Sequence, residues 1–424
     1  MTFAAFDSDR SPVEAVVGRV RRTIGIGVLG CGTVGGSVVA RLLEGTLAGA
    51  PVRLGRVLVR DLEKPRSPEG IGALLTADPA DVLDDPSIDV VVETIGGVDD
   101  AYEFVTRALL ARKHVVTSNK ALVAEHGPKL NALARERSVA FKFEASVGGA
   151  VPIVRVLSDV FATERVDELV GVINGTTNYV LRTMAEGSLF DDAVRAAQTA
   201  GYAEADPSLD IDGIDAAQKL AVLSFLAFDT NLAWRSIRRV SLRVVTRTLV
   251  EFAIEHGFAT IPLALARRAA DGAAVEALVT PAFVPSSHDF ARLGDVENMV
   301  RVSTYDGSVY RFAGPGAGSA TASAVLSDLG EIARKLSRWE SQRPEAIEKT
   351  VAQAQAPALR MLVRVNPNAS ASVYDALARQ GFVVERRTEE ALVIENATHE
   401  ALERATKTGE LRRHQLPMLP LVGA

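Results

Sequence analysis

The stretch 204-EADPSLDIDGIDAAQKLAVL-223 places one Glu, four Asp and one Lys within sixteen residues and then turns apolar. Asp212-Gly213 reads as a helix start, and Ile214, Leu220 and Leu223 recur at helical spacing. Asp215 and Lys219 then stand at i and i+4 on one face, where opposite charges pair. A solvated salt bridge accounts for that pair taken alone. Glu204, Asp206 and Asp210 just upstream argue for more. Carboxylates gathered beside an apolar run suit an ammonium-bearing ligand, and an amine among them is held charged as a proton donor. A second amine, Lys120, stands in 117-TSNKALVAEHG-127, at the end of a predicted strand. Ligands of an open α/β sheet collect at those carboxyl ends.

Glycines carry the other chemical signal. In 30-GCGTVG-35 the pattern G-x-G-x-x-G follows the apolar run 24-IGIGVLG-30 and precedes the helical pattern 37-SVVARLLEG-45. The first glycine makes the tight turn, the second admits a pyrophosphate, and the third lets helix and strand pack closely. Dinucleotide preference is written at the end of the second strand, here 57-VLVRDLEKPR-66. Arg60, with Lys64 and Arg66 behind it, favours NADPH, whereas Asp61 keeps NADH open. Thr94 in 93-ETIGG-97, at the next strand end, is placed to touch the cofactor through backbone and hydroxyl. Cys31 reads as a small packing residue.

The elements that must position these groups alternate. Strand-like runs 56-RVLVR-60, 89-DVVVET-94, 114-HVVTS-118 and 139-VAFKFEAS-146 are separated by helical patterns at 99–113 and 128–138, which implies a doubly wound parallel sheet of Rossmann type. From about residue 150 the chain reads as an α+β domain, with helices near 152–162 and 178–186 and strands near 258–268, 299–304 and 308–314. A Gly-rich turn and helix at 314–337 are expected to return to the first domain. The expected division is a disordered extension (1–22), a nucleotide-binding domain (23–150) completed by that helix, a substrate and dimerisation domain (151–313), a linker (338–357) and a small module (358–424).

Composition bounds the rest. With 424 residues, 47% of them hydrophobic, and a net charge of −6 without like-charge blocks, the chain is globular and carries no nucleic-acid face or polybasic anchor. A single cysteine fits a reducing, cytoplasmic setting, and no run is long and apolar enough for a membrane span or a signal peptide.

The motifs GCGTVGG (30–36), VETIGG (92–97), TSNKALVA (117–124), FEASVGGAVPIV (143–154), GVINGTTNYVL (171–181), GYAEADPSLDIDGIDAAQKLAVL (201–223) and GPGAGSATASAVLSDL (314–329) stand in the order of one family. Up to about residue 335 the chain resembles homoserine dehydrogenase. The resemblance implies interconversion of L-aspartate 4-semialdehyde and L-homoserine with NADPH or NADH, in threonine, methionine and isoleucine biosynthesis, by a homodimer or homotetramer. It implies Lys219 and Lys120 as catalytic amines with Asp215 orienting the substrate, and Glu204, Asp210, Gly175, Thr176 and Tyr202 as the substrate site. It implies cofactor contacts at Gly30, Gly32, Thr33, Val34, Gly35, Arg60, Thr94, Lys120 and Gly318. It also implies a monovalent cation, Na+, held by Glu144 and the carbonyls of Val147, Gly149 and Val151. The tail resembles an ACT module, in the order strand-helix-strand-strand-helix, but its first loop reads 366-NPNASAS-372 in place of the D-R-P-G-V-like turn that holds an effector. An interaction role therefore stands beside effector binding.

Overall fold

The computed structural model describes residues 22–269, 274–316, 319–336, 359–364, 370–388, 391–397, 401, 404–405 and 418–420. Nearly all of the expected extension, the linker 338–357 and Gly318 lie outside them. The chain divides into two units, residues 1–340 and 341–424.

The first unit opens with β1 (Ile24–Leu29), α1 (Thr33–Leu42), β2 (Thr46–Leu47), β3 (Ala50–Leu58), β4 (Leu75–Thr76), α2 (Ala80–Leu83), β5 (Val90–Glu93), α3 (Asp99–Leu110), β6 (His114–Thr117), α4 (Lys120–Arg137) and β7 (Phe141–Lys142). β1 is completely buried and pairs in parallel with β3 on one side and β5 on the other. β6 and β7 extend the sheet in parallel beyond β5, and β4 extends it beyond β3. Strand order reverses at β1, so a crevice opens at the carboxyl ends of β1 and β5. That is the doubly wound arrangement expected.

Two boundaries differ from the sequence reading. The run 139–146 pairs only at Phe141–Lys142 and then tightens into a 3-10 turn, Glu144–Ser146. The helix expected from Pro128 begins instead at Lys120, because the Asn119 side chain caps it by accepting from Leu122 N at 3.1 Å. Gly127 and Pro128 imitate a helix start, but the flanking Leu122, Val123, Ala124, Leu130 and Ala134 are all buried, and their packing carries the helix through the proline.

The chain continues through α5 (Ile153–Arg155), a π turn at Val156–Val160, β8 (Val166–Val172), α6 (Gly175–Ala185), α7 (Phe190–Thr199), α8 (Ser208–Ile211), α9 (Ile214–Phe228), β9 (Arg238–Arg239), α10 (Arg247–Glu255), β10 (Phe258–Arg268), β11 (Val275–Pro285), β12 (Glu297–Thr304) and β13 (Val309–Pro315). Six strands form one sheet in the order β13-β12-β8-β10-β11-β9. α9 is apolar nearly all round, with Ala217, Leu220, Val222 and Leu223 buried, and joins α4 and β8 in one core. α11 (Ser319–Leu336) buries Val325, Leu329, Ile332 and Ala333 among the side chains of β1 and α1.

The second unit holds β14 (Leu359–Arg364), α12 (Ser370–Arg379), β15 (Val383–Thr388) and β16 (Ala391–Ala397), and the closing helix of the expected order lies almost wholly outside the described residues. A fourth strand, β17 (Met418–Pro420), pairs with β14 in a segment whose sequence gave no reading. The sheet order is β15-β16-β14-β17, antiparallel throughout.

Candidate active site

The Gly-rich turn leaves β1 with Gly30 at φ +97°, its N–H donating to Leu58 O at 2.9 Å. A Cβ on Gly35 would lie 2.2 Å from Gly30 O, so only glycine lets α1 start this close to the strand. Gly32, by contrast, faces open space and is the N-cap of α1, with no capping side chain. The first-turn N–H groups around Thr33 and Val34 are thus presented to an anion, as a dinucleotide pyrophosphate requires. Thr94 closes the turn from beneath, its hydroxyl donating toward Leu29 O and Gly30 O at 3.0 Å each. That hydroxyl is spent on the protein, leaving the Thr94 backbone rather than its side chain for a cofactor.

Beyond β3, Arg60 is exposed, whereas Asp61 accepts from the backbone N–H groups of Glu63 and Lys64 at 2.9 and 3.3 Å. The acid that would read a ribose 2′-OH is folded into its own turn.

The carboxylates and amines meet across the core. Lys120 is the first residue of α4 and Asp215 lies in the first turn of α9. Asp215, 5% exposed, sits between two ammonium groups, with Lys120 Nζ 3.0 Å from Oδ1 and Lys219 Nζ 2.7 Å from Oδ2. Asn174, the N-cap of α6, donates its amide to Asp215 Oδ2 at 2.8 Å and to Asp210 Oδ1 at 2.7 Å. Lys219 Nζ also donates to Ile173 O at 2.8 Å. Burial alone would raise the pKa of Asp215, but Lys219 and then Lys120 outweigh it and hold the carboxyl well below the usual carboxylate range. The same charge raises the pKa of Lys120, with smaller contributions from Asp210 and Glu204. Asp210 moves the other way, its pKa raised by burial and by Asp215.

The five acids of the opening stretch thus divide. Asp206 accepts from Ser208 in a local turn, and Asp212 binds Ser241 Oγ at 2.6 Å, so both are structural. Asp210 and Asp215 join the amine cluster, and exposed Glu204 adds its charge to Lys120 from the rim. Thr176 donates to Tyr202 O at 2.6 Å, and Tyr202, 42% exposed, meets Tyr179 edge to face at 5.0 Å. Gly175 opens α6 beside Asn174. The sequence reading missed the Ile173 carbonyl and the bridging role of Asn174. A carbonyl has no sequence signal, but an Asn three residues before Thr177 is a capping pattern.

Glu144 is buried, its two carboxylate oxygens accepting from Val154 N at 3.0 Å and Arg155 N at 2.7 Å. Burial, and after it Asp328, push its pKa up to about 7. Gly149, at φ +65°, approaches Gly316 so closely that a Cβ would lie 2.6 Å from its carbonyl. Val147 and Val151 are buried, and Val151 O accepts from Ile153 N at 2.8 Å. One carboxylate and carbonyl oxygens are the hard donors a monovalent cation takes. The described residues hold no group of three or more His, Cys, Asp or Glu placed for a metal.

The homoserine dehydrogenase family model matches residues 152–329, and the model of the homoserine dehydrogenase NAD binding domain matches residues 30–144. Homoserine dehydrogenase of Bacillus subtilis is 37% identical over 322 residues, which span 74% of either chain. The crystal structure of a homoserine dehydrogenase from Thiobacillus denitrificans superposes with a TM-score of 0.69 at 31% identity, covering 94% of this chain and 98% of that one. A hyperthermophilic archaeal homoserine dehydrogenase mutant in complex with NADPH gives a TM-score of 0.63 at 25% identity, covering 74% of this chain and 98% of its own.

Proposed function

The chain belongs to the homoserine dehydrogenase family of NAD(P)-dependent oxidoreductases, and from that premise we propose how its cleft reduces L-aspartate 4-semialdehyde to L-homoserine, reversibly. The observation that carries the proposal is the Asp215 carboxylate clamped between Lys120 and Lys219, one amine from each side of the cleft. The nicotinamide, when bound, supplies the hydride. Gly30, Gly32, Thr33, Val34, Gly35 and the Thr94 backbone would hold the cofactor; exposed Arg60, with Asp61 committed elsewhere, favours a 2′-phosphate and hence NADPH.

Reduction of an aldehyde builds negative charge on its oxygen. Lys219 spends two N–H groups on Asp215 and Ile173 O, which fixes the ammonium and leaves one proton for that oxygen. Lys120, its side chain 41% exposed, adds a second positive charge and exchanges protons with solvent. Glu204 and Asp210 grip the substrate ammonium, with Gly175, Thr176 and Tyr202 forming the adjoining wall.

A monovalent cation, Na+, is assigned to Glu144 with the carbonyls of Val147, Gly149 and Val151, where it would brace the loop and take part in no step. A homodimer or homotetramer is proposed on the family resemblance. The second unit is read as an ACT-like interaction or effector module from its antiparallel order. The lone Cys31 fits a cytoplasmic enzyme, and no helix of the described residues is long and apolar enough to cross a membrane. The test is oxidation of NADPH with aspartate semialdehyde by wild type, Lys120→Ala and Lys219→Ala. Turnover in the wild type and a loss of at least about a hundredfold in the variants is expected; full turnover in both variants refutes the assigned roles.

A further inference from the structure

We infer that Glu93 is a positioning residue, the buried anchor that sets the 94–97 turn and the 117–120 turn in one geometry and so aims Lys120. The inference rests on the role proposed above for Lys120.

Glu93 ends β5 and is fully buried. Its partners are a hydroxyl, backbone donors and the Asn119 side-chain amide rather than cations. Oε1 accepts from Ile95 N at 2.9 Å and Gly96 N at 3.2 Å, and Oε2 accepts from the Thr117 hydroxyl at the end of β6. Each contact continues toward the cleft. Thr117 Oγ1 accepts from Asn119 N at 3.0 Å, Asn119 donates its side-chain amide to Gly97 O at 2.7 Å, and Asn119 caps the helix whose first residue is Lys120. On the other side Gly96 and Gly97 both stand at φ +73°, so the turn after β5 reverses tightly over the carboxylate. Thr94, between Glu93 and that turn, ties it to Gly30 of the Gly-rich turn.

One side chain therefore joins the elements that face the reacting centre from the nucleotide-binding side. A carboxyl carried into a core is costly and persists only where several donors meet it. Burial pushes the pKa of Glu93 up, while Thr117, Ile95, Gly96 and Asn119 oppose that shift. The remaining groups of the cleft, Glu204, Asp210, Asp215 and Lys219, lie on α8, α9 and the segment before them, outside this network.

The experiment compares full-length Glu93→Leu, Glu93→Gln and Thr117→Val with wild type and Lys120→Ala. Leucine removes every acceptor and is expected to lower kcat at least tenfold, toward the hundredfold that a misplacement of about 1 Å costs. The KM for aspartate semialdehyde should stay within about threefold, because its grips lie on the other side. Glutamine keeps an oxygen for Ile95 and Gly96 and offers an N–H to Thr117, so it should restore kcat to within about fivefold of wild type. A folded Glu93→Leu enzyme with kcat within threefold of wild type, or a Glu93→Gln enzyme no better than Glu93→Leu, overturns the inference. If the leucine variant does not fold, Thr117→Val decides. A fall of at least threefold in kcat with a displaced basic limb supports the inference, and an unchanged rate and profile overturns it. Lys120→Ala separates the two levels. A Lys120→Ala enzyme at full rate sinks the amine assignment, whereas its loss beside an intact Glu93→Leu enzyme sinks the anchor alone.

Discussion

Replacing Asp215 by Asn keeps the shape of the side chain and deletes the charge that two ammonium groups share. At an effective dielectric near 20, a unit pair at 2.7 Å and another at 3.0 Å each represent about 6 kcal/mol of gross attraction. The desolvation of a carboxylate that is 5% exposed cancels several kcal/mol of that, and Lys120, with 41% of its side chain exposed, can turn to water when its partner is lost. The low end of the range for breaking a buried pair applies, about 3 kcal/mol, or roughly 4 °C in Tm for a unit of this length. The native carboxyl is held below its unfolded value, so its contribution is complete above about pH 3.9 and lost as pH falls through the depressed native pKa. The raised pKa of Lys120 works at the other end, its contribution being complete below about pH 10.4 and lost as pH rises through the raised value. The Tm difference between wild type and Asp215→Asn should therefore be flat from about pH 6 to 9 and shrink in acid. In the same variant kcat should fall on the order of a hundredfold, with the basic limb of its pH profile moved to lower pH because Lys120 has lost the charge that raised it. Calorimetry across pH and stopped-flow NADPH oxidation measure both. A kcat within threefold of wild type, or a Tm difference that grows in acid, would refute this account of the pair.

Three further outcomes are expected. Arg60→Ala should raise the KM for NADPH at least about tenfold and leave that for NADH within a factor of about three, as steady-state kinetics with each cofactor will show; equal effects on both would remove Arg60 from the 2′-phosphate. Gly35→Ala forces a Cβ to 2.2 Å from Gly30 O and 2.6 Å from Thr94 Oγ1, so isothermal titration should find dinucleotide affinity reduced by more than about tenfold and thermal melting should show a loss of about 2–4 kcal/mol. Glu204→Gln, an exposed change, should leave the melt unchanged and raise the KM for aspartate semialdehyde by about tenfold, with a smaller effect on kcat.

Much of the site was legible because its signals are local. The Gly-rich turn reads from three glycines between a strand and a helix, and Gly30 and Gly35 meet the close approaches that such a turn demands. Asp215 and Lys219 share a helix face by spacing alone. The start of α4 was misread because Gly127-Pro128 carries a stronger local signal than Asn119, and burial on the helix's inner face overrules the proline. The short pairing of β7 escaped for a related reason, since the alternation in 139–146 is that of a longer strand while the contact of Glu144 with Val154 and Arg155 draws the backbone into a turn.

Residue type and spacing by themselves determined the nucleotide-binding turn, the alternating layers and the identity of the amines and acids, because hydrophobic period and glycine placement act over a few residues. Only the folded chain decided which acids meet the amine cluster. Asp206 and Asp212 are the same residue type as Asp210 and Asp215 and stand in the same stretch, yet the former pair close on Ser208 and Ser241 while the latter meet Asn174 and the two lysines. Lys120 and Asp215 are ninety-five residues apart in sequence and 3.0 Å apart in space. Long-range packing of α4 on α9 brings them together, and the low dielectric of that contact turns two ordinary surface-type charges into a coupled pair.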